Sequence, residues 1–152
     1  MMIDYEAIKV RFQNGTLVDV YYSDGSVKRY DLSVAFERFP ILQNLKDRKL
    51  FLSGRLIGTS GISWNEEIDY DTDTIFEDGI DVTNQYKDIS LVVLGYKLKC
   101  RRRELNMSQD QVAKLAHIDQ SDLSKIEKGN ANPSLKTLFR ILKALNSELI
   151  IK

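Results

Sequence analysis

The chain is short of most of what catalysis draws on. Its 152 residues include one cysteine, Cys100, one histidine, His117, one tryptophan and two prolines. A lone cysteine excludes an intramolecular disulfide framework and fits a reducing compartment. With one thiol and one imidazole, nucleophile–base pairs are scarce, and His117 has no second histidine with which to hold a metal. No catalytic residue, metal or cofactor is expected. No apolar run approaches the ~18 residues of a membrane-spanning helix. The start, MMIDYEAIKV, lacks the basic residues and apolar middle of a secretory signal. A cytoplasmic protein with no membrane partner is the expectation.

An excess of one charge sign is missing too, but only as a total. The formal net charge is zero. Residues 1–90 hold 10 basic and 16 acidic side chains, a net of −6. Residues 91–152 hold 12 and 6, a net of +6. Such asymmetry divides the chain into two units and makes the basic one a candidate for a polyanion.

The acidic half reads as strands and tight turns. IKVRF and LVDVYY flank Asn14-Gly15, a hairpin dipeptide because both residues tolerate positive φ. A second turn, Asp24-Gly25, leads into SVKRYDL. In the middle strand Val18, Val20 and Tyr22 share one face. Ser33 is placed to cap a short helix, VAFERF, that Pro40 ends, and LFLSGRLI and ISW read as further strands. The sum is a small α+β unit over 1–76. Residues 77–90 read as an acidic linker. Asp69, Asp71 and Asp73 alternate like calcium ligands, but an EF-hand loop wants Gly next and Glu at its end, where Thr74 and Ile80 stand. A solvated acidic connection is the simpler reading.

From about Ile89 the apolar period becomes helical, in four bursts. Asn106 breaks the first, and Ser108, Asp119 and Ser134 stand where N-caps belong for the other three. The last residues, ELIIK, favour a strand. The two middle helices are too short to stand alone, because nucleation is costly. They must lean on each other, and the link AHID is too short for a roomy antiparallel pair. A helix-turn-helix crossing fits. Gln120 and Ser121 then project from an exposed helix start, with Lys125 on roughly the same face. Such an end fits the major groove of B-DNA, where Gln can pair with adenine through two hydrogen bonds.

The stretch LGYKLKCRRRELNMSQDQVAKLAHIDQSDLSKIEKGNANPSLKTLFRILKALN resembles the phage-repressor (Cro/cI, Xre-type) helix-turn-helix class. The elements that carry the likeness are RR-x-L-x-x-S-Q, the small Ala113, LSKIEKG and NPSLKTL. The resemblance implies an all-α lambda-repressor-like domain within residues 91–152 that binds double-stranded DNA as a dimer. It also implies roles. Gln109 would touch backbone phosphate. Gln120, Ser121, Ser124 and Lys125 would read bases. Lys128, Asn130 and Lys136 would meet phosphate, and Arg102 and Glu127 would form a partly buried ion pair. The chain departs from the family at His117, where Gly is usual because the position wants positive φ. The end, NPSLKTLFRILKALNSELIIK, is similar to antitoxin-type members that finish in a strand, which implies a toxin protein as a possible partner.

The acidic half also has a likeness. LVDVYYSDGSVKRYDL, FPILQNLKDRKLF and ISWNEEIDYDTDTIF resemble a small bacterial family, domain of unknown function 2442, although NEE follows Trp64 where that family turns on Pro-Asn-Gly. No catalytic role transfers from it. The expected function is a sequence-specific DNA-binding regulator, with an autoregulating antitoxin as one form of it. The alternative is a protein-interaction module built on a helix-turn-helix core that no longer binds DNA. The basic surplus and the polar Gln120, Ser121 and Lys125 argue against that alternative, since a core used only for packing needs none of them.

Overall fold

Two tight turns lay out the first sheet. In a computed structural model, which describes residues 5–152, strands β1 (Ala7–Phe12), β2 (Leu17–Tyr22) and β3 (Val27–Asp31) pair antiparallel in register Val10↔Val20 and Val20↔Lys28. Gly15 takes φ +61° between β1 and β2, a value that costs an L side chain energy. The reading of the extreme N-terminus falls partly on residues 1–4, which lie outside the described residues. The chain divides into two units, Met1–Lys87 and Asp88–Lys152.

In the first unit the sheet has the order β1-β2-β3-β7, and a second antiparallel sheet has the order β4-β5-β6. Here β4 is Arg55–Ile57, β5 Gly61–Ser63, β6 Asp69–Asp71 and β7 Ile80–Asp81. Helices α1 (Arg48–Leu52) and α2 (Thr72–Asp78) complete the unit. Val18, Val20 and Tyr22 face a core shared with Leu32, Phe51, Ile62, Trp64 and Ile75. Burying side chains of this size is the main stabilising term, about 1.5–3 kcal/mol each. Trp64 is a core residue whose Nε1 donates to the Phe51 carbonyl at 2.8 Å.

Four expectations need correction here. The first short helix is a 3-10 turn, Leu32–Ala35, capped by Asp31 rather than Ser33, with the Asp31 carboxylate accepting from the Ser33 amide. Pro40 does not end a helix; it opens a second 3-10 segment, Pro40–Lys46, where its missing N–H costs nothing. LFLSGRLI is not one strand. Asp47 accepts from the Leu50 amide and caps α1, so the first part is helical and only Arg55–Ile57 extends. Residues 77–90 are not a free linker: Ile80–Asp81 pairs with β3, and Tyr86 packs on Tyr21 within the first unit.

The second unit is helical: α3 (Ile89–Glu104), α4 (Gln109–Ala116), α5 (Gln120–Glu127) and α6 (Leu135–Ala144). Leu98, Val112, Ala116, Leu123, Ile141 and Leu145 meet in one core. Ser134 caps α6 through the Thr137 amide. The expected terminal strand is absent. Residues 147–152 are irregular, because an edge needs a ladder partner and the described chain offers them none. Among the described residues no helix is long and apolar enough to cross a membrane.

Candidate nucleic-acid interface

The turn between α4 and α5 is built from local chemistry. Ser108 opens α4 with a capping box. Its Oγ accepts from the Gln111 amide at 3.1 Å, and its own amide donates to Gln111 Oε1 at 2.8 Å. At the other end His117 adopts φ +57°, ψ +46°. The Ile118 amide returns to the Ala113 carbonyl at 3.0 Å and the His117 amide to Lys114 at 3.3 Å. This is the paired closure that a left-handed residue permits. His is among the non-glycine types that tolerate it. The chain is thus redirected within three residues, and Asp119, in extended conformation, begins α5. The Asp119 side chain makes no capping hydrogen bond.

Close approach of α3 to α5 depends on Gly95, which the sequence reading did not single out. A Cβ there would lie 2.7 Å from the Glu127 carbonyl oxygen. The signal was a glycine inside a helical pattern, which marks close packing when it is tolerated at all.

Behind the turn lies a buried ion pair. Arg102 and Glu127 are 9% and 6% exposed. Arg102 Nε donates to Glu127 Oε1 at 2.6 Å and the Arg102 Nη2 to Oε2 at 3.0 Å, while Nη1 donates to the Met107 carbonyl at 2.9 Å. The hydrogen bonds to Glu127 raise the Arg102 pKa further. A planar fork against a carboxylate is the geometry that makes such a pair strong. The network does not stop there. Gln109 Nε2 donates to Glu127 Oε2 at 2.8 Å, and Gln120 Nε2 donates to Gln109 Oε1 at 2.7 Å. One chain of hydrogen bonds therefore runs from the core to the exposed start of α5.

That chain decides what Gln120 can still do. One of its two amide hydrogens is spent on Gln109. The other hydrogen and Oε1 remain, and these are the donor and acceptor that a bidentate contact to adenine needs. Holding the side chain in place beforehand removes part of the entropy cost of binding.

The remaining candidates distribute as follows. Gln120, Ser121 and Lys125 are exposed and Ser124 is half-buried on α5, while Leu123, Ile126 and Glu127 form its buried side. Gln109 is half-buried at the start of α4. Lys128 and Asn130 are exposed just past α5, where the Asn130 amide bonds to the Lys125 carbonyl at 2.9 Å and closes the helix. Lys136 is exposed in the first turn of α6. The hydrogen bonds bring together Arg102, Glu127, Gln109 and Gln120. Ser121, Ser124 and Lys125 join them by sharing α5, and Lys128, Asn130 and Lys136 follow it in the chain.

A family model described as helix-turn-helix matches residues 98–151. An uncharacterized helix-turn-helix-type transcriptional regulator of Haemophilus influenzae is 33% identical over 96 residues, 62% of this chain and 89% of its own. The ImmF control region 10 kDa protein of Bacillus phage phi105 is 39% identical over 56 residues, 37% of this chain and 62% of its own. A solved restriction-modification controller protein from Aeromonas hydrophila shares 32% identity, with a TM-score of 0.38 over 39% of this chain and 89% of its own.

Proposed function

The chain belongs to the helix-turn-helix family of DNA-binding transcriptional regulators, and from that premise we propose that it reads a specific double-stranded DNA site as a homodimer, with α5 in the major groove. The observation that carries this reading is the exposed start of α5, where Gln120 is held by Gln109 yet keeps a free donor and acceptor. Gln120, Ser121, Ser124 and Lys125 read base edges in this proposal. Gln109, Lys128, Asn130 and Lys136 meet phosphate and fix the register. Phosphate contacts then supply much of the affinity and a steep salt dependence, and base contacts select the site.

A narrower form of the proposal is an autoregulating antitoxin with a toxin protein as partner, acting in the cytoplasm. The likeness of NPSLKTLFRILKALNSELIIK to antitoxin-type members supports it, and co-purification of a small partner tests it. The first unit is proposed to belong with domain of unknown function 2442 and to serve partner or ligand binding.

Two substitutions test the DNA reading. Gln120→Ala should lose about 1–3 kcal/mol on the preferred duplex and relax preference at one position. Lys128→Ala should weaken all duplexes alike and reduce the salt slope by about one. Uniform weakening by Gln120→Ala removes it from base reading.

A further inference from the structure

The first unit leaves one strand edge open beside a hollow. In the sheet β4-β5-β6, β6 stands at the edge. Its pairing with β5 fixes which way its backbone points. The Trp64 amide donates to the Ile68 carbonyl and the Thr72 amide to the Ser60 carbonyl, both at 2.9 Å, and Ile62 lies opposite Tyr70 between them. Hydrogen-bonded pairs alternate along an antiparallel ladder, so residues 68, 70 and 72 turn their polar backbone groups toward β5. Asp69 turns its own N–H and C=O away from β5, and among the described residues no strand lies on that side.

Along this edge runs a hollow of about 400 Å³. Asp69 and Asp71 project from one face of β6 and Tyr70 from the other. All three line the hollow, so it follows the edge rather than lying over a face. Phe39, Ile41 and Leu42 form the opposite wall, and Phe39 and Ile41 are 44% and 40% exposed. Glu67 adds a third carboxylate, while the one basic residue of the lining, Arg38, lies over the Phe39 ring at 5.2 Å.

We propose that this edge docks an extended basic segment of a partner protein, added antiparallel beside β6 with lysine or arginine at alternate positions. The inference rests on the reading of the first unit as the partner-binding part, and it gives that reading a place and a chemistry.

Three features select this occupant. First, Asp69 presents a donor and an acceptor together, which one residue of an antiparallel strand satisfies. Second, the side chain of that residue shares a face with Asp69, whose carboxylate has no partner among the described residues, whereas Asp71 is engaged by Thr74. A cation there completes a cross-strand pair. Phe39 and Ile41 take the apolar side chains that alternate with the cations. Third, charge excludes the competitors. Residues 65–78 hold seven acidic side chains and no basic one. Such an edge repels duplex DNA. A second copy would set Asp69 and Asp71 of each edge against those of the other, a like-charge pairing that keeps edges apart.

The test is the fluorescence polarisation of a fluorescein-labelled peptide, Gly-Lys-Val-Lys-Val-Lys-Gly, titrated with the full chain in the absence of DNA. Saturable binding is expected, and the peptide with Glu in place of Lys should not bind. Methylating the lysine backbone amides keeps the charge but removes the donors that face β6, and should weaken binding about tenfold or more. Methylating the valine amides, which face away, should leave it unchanged. Asp69→Lys should weaken binding about tenfold and, because Asp69 is exposed, unfold at the temperature of the parent. Equal binding of both methylated peptides, or binding unmoved by Asp69→Lys, overturns the edge while leaving the first unit a binder of cationic chains. Absence of saturable binding overturns the proposal outright. Co-purification of a small partner still tests the wider reading after that result.

Discussion

Each unit buries a carboxylate against an arginine, and the hydrogen bonds of the two carboxylates lead to different places. In the first unit Asp19, fully buried on β2, accepts from Arg29 Nε at 2.8 Å and Nη2 at 2.7 Å. It also accepts from the Tyr86 hydroxyl and, at 3.3 Å, from Gln13 Nε2. The result is closure: the end of the unit is fastened to its sheet. In the second unit the Glu127 carboxylate, besides accepting from Arg102, accepts from Gln109, which in turn accepts from Gln120 at the surface. The difference is that one chain of hydrogen bonds ends inside its unit and the other reaches an exposed helix start. Breaking each pair separately sharpens the contrast.

The largest effect belongs to Glu127→Ala. It leaves Arg102 buried and unpaired and should cost about 3–5 kcal/mol in urea unfolding. It also frees Gln109, so DNA preference should fall in the fraction that stays folded. Asp19→Ala should cost less, about 1–3 kcal/mol, because the Arg29 side chain is 31% exposed and can turn to water. Site preference on DNA should not change. An Asp19→Ala protein that is folded yet has lost its preference would break the contrast.

Alkaline pH should divide the units next. Burial raises the pKa of both Tyr22 and Tyr70, and Tyr70 is raised further by its hydrogen bond with Tyr30. A raised folded value means that stability is complete below the unfolded tyrosine value of about 10 and is lost as pH climbs above it. Six of the seven tyrosines lie in the first unit. Trp64 fluorescence should therefore report unfolding above about pH 10 before the helical circular dichroism of the second unit falls. Coincident transitions would count against independent units.

The smallest effect is at Asp31. Its carboxylate accepts from Thr16 Oγ1 at 2.6 Å and from the Ser33 amide at 3.0 Å, and these bonds, the Thr16 one foremost, hold its pKa below the usual range. The contribution is present at neutral pH and lost as pH falls through the depressed folded value, below about 4. Asp31→Ala should cost about 1 kcal/mol at pH 7 and progressively less in acid, measured by denaturant unfolding at each pH.

Legibility in the sequence followed the range of the forces. Asn14-Gly15 and Asp24-Gly25 act within a few residues, and both turns could be read directly. Apolar spacing and the residues at Ser108 and Ser134 likewise marked the helices of the second unit, and the exposed start of α5 followed from them. What escaped was non-local. Asp19 finds Tyr86 67 residues away, so nothing near Asp19 says that a strand carboxylate will be fully buried or that Ile80–Asp81 and Tyr86 will return to its sheet. Gly95 matters only because α5 crosses it. Gln120's tie to Gln109 depends on how α4 and α5 cross, which spacing alone does not fix. The strand reading of ELIIK rested on side-chain type alone and was silent about the partner a strand requires. Pro40 shows a different limit, since one residue type can end a helix or begin one, and the local sequence allowed both.

The central claim is that the start of α5 reads base edges. Selection of bound sequences from random duplexes by the purified full chain tests it most directly. The account predicts one enriched site with two-fold symmetry and half-sites about one helical turn apart, and Gln120→Ala should blur it at one position in each half. Recovery of unenriched sequence, or the same sharp site with and without the Gln120 amide, would contradict it.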